Sequence, residues 1–440
     1  MGPGSGQHTP LRPIEATWAV GNKELLPAKK GSVCDVRHLM SRRRDPRCPE
    51  SMSEHTTSHK VVVIGGGYAG TAAANHLRLR DDVDITLVNS RPQFVERIRL
   101  HQFVAGNYDA SVDYGTLLGD GIELVVDKAT RIDTASRTVE LASGRALDYD
   151  YVIYAVGSTG AIPSSVPGAA AFACSIAELE FAQQLRARLA ELPAEAAITV
   201  VGGGLTGIET AAELAEHGRK VTLVAGRTLA PTLSAPVRRS VATWLSENGV
   251  TVLEGSVVAE VRQDAVVFTD GAIRQSALTI WTAGFGVPGL AAASGLRVDE
   301  LGRLLTDETL LSVDDDRIVA AGDAGSPSGQ PLRMSCQSAI PLGVQAADAV
   351  LSRIAATAPA VIDMGFKAVC ISLGRHAGIK QLVRADDTPL DTYFDGQDGA
   401  EMKEELCRKA VTGIGMEGRN PGIVVWDKPG PRFAQVVAAR

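Results

Sequence analysis

Two stretches of this chain carry the same plan, and that repetition constrains the fold more than any other feature. Lys60–Ile64 reads KVVVI, an unbroken apolar run of strand length. It is followed by Gly65-Gly66-Gly67-Tyr68-Ala69-Gly70, an Ala-rich helical pattern to about Arg80, and a second strand pattern at Val83–Val88. Ala197–Val201 (AITVV) opens the second copy, with Gly202-Gly203-Gly204-Leu205-Thr206-Gly207, a helical pattern through about His217 and the strand pattern Lys220–Val224. Gly65 and Gly202, the first glycine of each turn, are 137 positions apart. The parallel continues downstream. The first copy predicts short strands at Ile122–Val126, Ala129–Asp133 and Thr138–Leu141, a turn at Ser143-Gly144, then Tyr151–Ala155 and Val156-Gly157. The second predicts Val252–Leu253, Val257–Val261 and Ala265–Phe268, a turn at Asp270-Gly271, then Leu278–Thr282 and Ala283-Gly284. Each half is expected to be a parallel βαβ core with a small antiparallel insertion, the product of duplicating one unit.

The glycine spacing carries chemistry because of where it falls. A G-x-G-x-x-G turn between a strand and a helix brings bare backbone N–H groups and the positive end of the helix dipole against a pyrophosphate. Its first glycine makes the sharp turn, the second admits the phosphates, and the third lets helix and strand pack closely. Gly65, Gly67 and Gly70 fill these places in one copy, and Gly202, Gly204 and Gly207 in the other. A lone motif of this kind is weak, but two in the required context are not. The ribose-binding acid that usually ends the second strand is absent from both copies. Asn89 stands there in the first, able to hydrogen-bond without charge. Ala225 stands there in the second, followed by Gly226 and Arg227, with Arg219 nearby. An acid at that place favours NADH, so its absence leaves NADPH open, and Arg227 either meets a 2′-phosphate or is a solvated loop charge. Further on, LLSVDDDRIVAAGD (Leu310–Asp323) predicts a short strand ending in Ala321-Gly322-Asp323, where Asp323 either accepts from a cofactor hydroxyl or caps the next turn.

Composition excludes several function classes. The net charge of −7 argues against nucleic-acid binding, so an anionic cofactor must be held by local dipoles. No run reaches 18 uninterrupted apolar residues. The six cysteines (Cys34, Cys48, Cys174, Cys336, Cys370 and Cys407) form no C-x-x-C pair, and neither they nor the eight histidines suggest a metal site. Residues 1–59 are rich in Pro, Ser, His and Arg without periodicity, and are expected to be a disordered extension, with Met52 a candidate natural start.

The motifs GGGYAG, IYAVGS, GGGLTGIETAAEL and VAAGDAG, in this order over about residues 60–350, resemble the FAD-dependent pyridine nucleotide-disulfide oxidoreductase superfamily. The resemblance implies an α/β protein with two Rossmann-like, three-layer domains that bind FAD and NAD(P)H, plus a small α+β C-terminal domain. FAD would occupy 60–166 together with 288–352, NAD(P)H would occupy 167–287, and 353–440 would cap the flavin, form a dimer or meet a membrane surface. The first turn, with Tyr68 and Ala69, would take the FAD pyrophosphate; the second, with Leu205 and Thr206, would take NAD(P)H. Asn89, Ala129, Ala155, Gly157, Glu209, Arg227, Ala283, Gly284, Gly322, Asp323 and Gln337 complete the expected cofactor-binding set.

Within that superfamily, the stretch SRPQFVERIRLHQFVAG after Asn89 lacks the cysteine pair of the disulfide reductases, and reliance on reactive cysteines disfavours sulfide:quinone reductases too. GGGLTGIETAAEL is similar to the GGGxTGxE signature of type II NADH dehydrogenases and their apoptosis-inducing-factor-like relatives. By that likeness Glu209 and Gln337 are the candidate catalytic residues. Gln337 matches an Ala-Gln segment beside flavin and quinone, and Cys336 replaces its Ala. The implied activity is hydride transfer from NAD(P)H to FAD and then two electrons to an acceptor such as a quinone. A reductase of a small electron-carrier protein and a slow redox-sensing protein are the alternatives. The setting expected is cytoplasmic, compatible with peripheral contact at the cytoplasmic membrane face and with a homodimer. In the C-terminal part, Phe366–Leu373 and Gly378–Val383 predict strands, and Glu401–Val411 a short helix with Met402, Leu406 and Ala410 on its packed stripe, ended by Gly413.

Overall fold

The structure is a computed structural model that describes residues 58–432. The expected disordered extension, Met52 included, lies outside the described residues except for Ser58 and His59, and His59 already starts the first strand.

Two five-stranded parallel sheets organise the chain. In the first, the order across the sheet is Ile318–Ala320, Tyr151–Tyr154, His59–Ile64, Val83–Asn89, Ile122–Val126. In the second it is Ala173–Ser175, Leu278–Trp281, Ala197–Val201, Lys220–Gly226, Thr251–Glu254. The two orders correspond strand for strand, with one permutation. The outermost strand beside Tyr151–Tyr154 arrives late, when the chain returns after the second unit; its counterpart Ala173–Ser175 arrives before that unit's glycine turn. The central strands are apolar on both faces because helices cover one side and an antiparallel insertion covers the other, leaving neither face to water. Val61, Val63 and Ile153 are fully buried, as are Val200 and Ile280.

Each unit carries a three-stranded antiparallel insertion, one at 129–148 and one at 258–275. The two chain crossings between the units pair with each other as a short antiparallel ladder, Thr159–Gly160 against Phe285–Gly286. After the last strand of the first sheet, the helix Cys336–Ile354 lies along the helix Tyr68–Leu77. Contact is close because Gly343 has no side chain: a Cβ there would stand 2.2 Å from the Ala69 carbonyl oxygen.

The C-terminal part is an antiparallel sheet of Ala368–Ser372, Gly378–Val383 and Pro389–Phe394, followed by the helix Gly396–Arg419. That helix has 24 residues and runs straight through Gly413, which corrects the short helix expected from sequence. The glycine does not stop it because its packed stripe continues beyond: Gly399, Lys403, Cys407, Ala410, Ile414 and Glu417 are buried, whereas Met402 and Leu406 lie at the margin. Two charged residues on the packed stripe hid its true phase.

His76, at the end of the first glycine-turn helix, ties these helices together. Its Nε2 meets Asp348 at 3.0 Å and its Nδ1 meets Glu417 at 2.6 Å. The Glu417 carboxylate also accepts backbone N–H bonds from Gly422, Ile423 and Val424, holding the chain after the helix. Burial alone would lower the His76 pKa, but the hydrogen bonds to Asp348 and Glu417 outweigh it and raise it to about 9. A group raised in the folded state stabilises fully below its ordinary value of about 6.5, and loses that contribution as pH rises through the folded value. The full shift corresponds to about 3 kcal/mol, and half-exposed Asp348 discounts it to about 2. Urea unfolding at pH 6 and pH 9.5 should therefore show a loss of about 2 kcal/mol that His76→Asn abolishes. Equal pH dependence in both proteins would contradict the assignment.

Candidate cofactor and active site

Both glycine turns have the geometry that a pyrophosphate needs. Gly65 has φ +103°, and a Cβ on it would lie 2.3 Å from the Ala155 carbonyl oxygen. A Cβ on Gly70 would lie 1.8 Å from the Gly65 carbonyl oxygen, so helix and strand could not close with a side chain at either place. Gly67 is different, because a Cβ there meets nothing within 4 Å. The helix begins on it with no side-chain cap and no acid in its first turn, which leaves the first N–H groups for an outside acceptor. The second turn repeats this: Gly202 has φ +132°, a Cβ on Gly207 would lie 1.9 Å from the Gly202 carbonyl oxygen, and Gly204 faces open space at an uncapped helix start.

A cavity of about 670 Å³ opens on the first turn. That lies within the roughly 300–1,000 Å³ that small-molecule and cofactor sites occupy. Of the residues expected from sequence, Gly65, Gly67, Tyr68, Ala69, Asn89, Ala129, Ala155, Gly157, Gly322 and Asp323 line it. Gly70, Glu209, Arg227 and Gln337 do not stand in its wall. Asn89 braces the turn, its Oδ1 accepting from the Gly66 N–H at 3.0 Å while its Nδ2 donates to the Arg91 carbonyl at 2.8 Å. Tyr114 pins the same turn by donating to the Gly66 carbonyl at 2.6 Å. Asp323 accepts from the Ser158 hydroxyl at 2.7 Å, and burial raises its carboxyl above the usual range. An adenine dinucleotide fits this set: open N–H groups at one end, hydroxyl acceptors along one side and apolar walls elsewhere.

Sequence reasoning missed many polar members of this site, three of which bear on its chemistry. Arg97, Ser158 and Glu178 also line the cavity. Ser158 ends the IYAVGS motif and was within reach of it. Arg97 and Glu178 sit in stretches with no motif, and only the return of the chain past the first sheet brings them to the cavity.

Around the second turn the structure separates the two arginines. Arg219 donates to the carbonyls of Leu189, Leu192 and Pro193, so it braces the preceding helix and is not offered to a ribose phosphate. Arg227 is exposed beside Gly226. Ala225 lies against Gly203, where an added Cβ would stand 2.8 Å from the Ala225 Cα and Cβ. Ala283 accepts from the Trp281 indole N–H at 2.9 Å, and Gly284 turns with φ +83° towards the interunit ladder.

Glu209 lies on the second glycine-turn helix (Leu205–Glu216) and faces the C-terminal part. It pairs with Lys403 at 2.9 Å and accepts the Ser372 N–H at 3.0 Å. Burial works against both charges, but each partner outweighs it for the other: Glu209 is held below the usual carboxylate range and Lys403 above the usual ammonium range. His101 stands 3.8 Å away, and burial lowers its pKa to about 4, so it is neutral. Gln337 accepts from Arg333 at 3.2 Å, and Arg333 also pairs with Asp387 at 2.7 Å. Among the described residues no group of three or more His, Cys, Asp or Glu could hold a metal ion, and no helix is long and apolar enough to cross a membrane.

Comparison with known proteins agrees with this geometry. Residues 59–343 match the family of pyridine nucleotide-disulphide oxidoreductases. The "NADH dehydrogenase-like protein Rv1812c" of Mycobacterium tuberculosis is 32% identical over 316 residues, covering 64% of this chain and 78% of that protein. A type II NADH:quinone oxidoreductase of Staphylococcus haemolyticus is 28% identical over 401 residues, covering 82% of this chain and 96% of that one. The structure of NDH2 from Plasmodium falciparum in complex with NADH superposes with a TM-score of 0.69 at 14% identity, covering 82% of this chain and 98% of the other, a likeness of fold. The chain belongs to the pyridine nucleotide-disulphide oxidoreductase family and is an NAD(P)H-dependent flavin oxidoreductase, with FAD and NAD(P)H as its cofactors.

Proposed function

We propose that FAD occupies the first cavity, that NAD(P)H binds at the second glycine turn, and that the final acceptor is a quinone. The observation that carries this reading is the pair of open, uncapped second glycines, Gly67 and Gly204, on two sheets of the same order. Bound FAD supplies the redox chemistry, taking hydride from NAD(P)H and giving two electrons to the acceptor. The chain supplies the rest. Backbone N–H groups after Gly67 and Gly204 bind the two pyrophosphates, and Asp323, oriented by Ser158, accepts from the ribityl chain. Glu209, in the nicotinamide–flavin region, and Gln337, beside flavin and quinone, are the candidate catalytic residues, each held by a cation, Lys403 and Arg333. With no acid at Ala225, both NADH and NADPH are donors. Similarity to the Staphylococcus haemolyticus NADH:quinone oxidoreductase along nearly its whole length supports the quinone.

Steady-state turnover separates this from reduction of a carrier protein. A water-soluble quinone should be reduced at least about tenfold faster than oxygen, a barrier difference of about 1.4 kcal/mol. Turnover that appears only when an iron–sulfur carrier protein is added would refute the quinone assignment.

A further inference from the structure

Two neighbouring arginines are partnered in opposite ways, Arg99 buried and Arg97 half-buried. Arg99 is matched by carboxylates, Glu96 at 3.2 Å and Glu404 at 2.6 Å. Arg97 lines the cofactor cavity, and no carboxylate stands within ion-pair distance of it among the described residues. Its Nε donates to the Ala177 carbonyl at 3.0 Å and its Nη1 to the Ser158 hydroxyl at 3.1 Å. Both acceptors are neutral. Ser158 then passes a hydrogen bond to Asp323 at 2.7 Å, so that carboxylate reaches Arg97 through space and through a hydroxyl, without forming an ion pair. Glu178, the other acid near it, is engaged by Arg91 at 3.3 Å and by the Thr159 hydroxyl. A half-buried cation with no ion-pair partner favours an occupant that carries or gains negative charge at this place.

The location says which part of the occupant. The phosphate end of the cavity is at Gly65–Gly67, in the middle of the first sheet's edge. Arg97 is held at the other side, by the chain that leaves the first unit. Ala177 follows Ala173–Ser175, the outer strand of the second sheet, and Ser158 precedes the interunit ladder of Thr159–Gly160 with Phe285–Gly286. The reacting ends of two cofactors held by two units must meet at that seam. We infer that Arg97 faces the flavin ring and is the cation that meets the charge the ring gains on reduction. This rests on the assignment of FAD to the first cavity. A hydride brings two electrons and one proton, so a neutral oxidised ring becomes an anion with one negative charge, and a nearby guanidinium favours it over the oxidised form. Arg97 then raises the reduction potential of the flavin without being needed to retain it.

The test uses full-length protein reconstituted with FAD, with midpoint potential and FAD affinity both measured. In the wild type the potential should fall by about 30 mV per pH unit near neutrality, the slope for one proton per two electrons; about 60 mV would mean a neutral reduced ring and overturn the inference. In Arg97→Gln, oxidised FAD should bind nearly as in the wild type. Reduced FAD should weaken about tenfold relative to it, a fall of about 30 mV for a two-electron couple, and Arg97→Lys should recover most of that fall. An unchanged potential in Arg97→Gln would overturn the inference. Equal weakening of both redox forms would do so as well, by placing the guanidinium against the pyrophosphate. If the glutamine variant does not fold, Arg97→Met, similar in length and uncharged, takes its place in both measurements and should show the same fall. A wild type that cannot take up FAD would fail the functional reading itself, which is a different result from an FAD-loaded protein with unaltered potential.

Discussion

Gly67→Asp is expected to yield a protein that folds more stably and binds FAD far more weakly. Its φ of −81° and ψ of −165° are open to any residue, and a Cβ would meet nothing within 4 Å. The helix it starts has neither a side-chain cap nor an early acid. Aspartate is among the best residues at such a place, contributing about 1 kcal/mol through the capping hydrogen bond and the helix dipole. That carboxylate takes the N–H groups a pyrophosphate would use and repels its charge. FAD affinity should fall at least about 100-fold, roughly 3 kcal/mol. Melting of the apoprotein, together with absorbance titration of FAD, checks both signs at once. A variant that is less stable than wild type, or that keeps its FAD, would contradict the role of the turn. Gly204→Asp should do the same at the second turn, leaving FAD bound. Neither effect is expected at Gly70, where any Cβ collides with the Gly65 carbonyl and damages the fold first.

Lys403→Met should destabilise the fold by about 3 kcal/mol. It leaves the Glu209 carboxylate buried without its counter-ion, and breaking a buried pair from one side costs about 3–5 kcal/mol. The lower end applies because the Ser372 N–H still donates to Glu209. The pair joins the second glycine-turn helix to the C-terminal sheet and helix, so the loss should appear in denaturant unfolding followed at that region. Adding Glu209→Gln removes the stranded charge, and the double variant should recover more than half of the loss. A single variant within about 0.5 kcal/mol of wild type would show that the pair holds nothing together.

The parts of this molecule governed by local rules were legible from sequence. The strands 122–126, 129–133, 138–141 and 378–383 begin and end where the apolar patterns do. The glycine turns were legible for the same reason, since backbone sterics at Gly65, Gly70, Gly202 and Gly207 leave few other residues possible. The C-terminal helix was misjudged because its packed stripe includes Lys403 and Glu417, which look solvent-facing until their partners Glu209 and His76 are known. Those partners are 194 and 341 positions away, and no window of sequence contains both ends. Arg97 was passed over for a related reason. FVERIRLHQ reads as an ordinary mixture of charges, and nothing local distinguishes the arginine that finds carboxylates, Arg99, from the one that finds a cavity.

The central claim is that two glycine turns divide the work, FAD at the first and NAD(P)H at the second. Anaerobic titration of FAD-loaded wild type and Gly204→Asp with NADPH and NADH tests it most directly. The wild type should bleach with one equivalent of either donor. The variant should stay yellow under NAD(P)H yet bleach fully with dithionite. Bleaching of the Gly204→Asp protein by NAD(P)H at the wild-type concentration would contradict the assignment of the second turn.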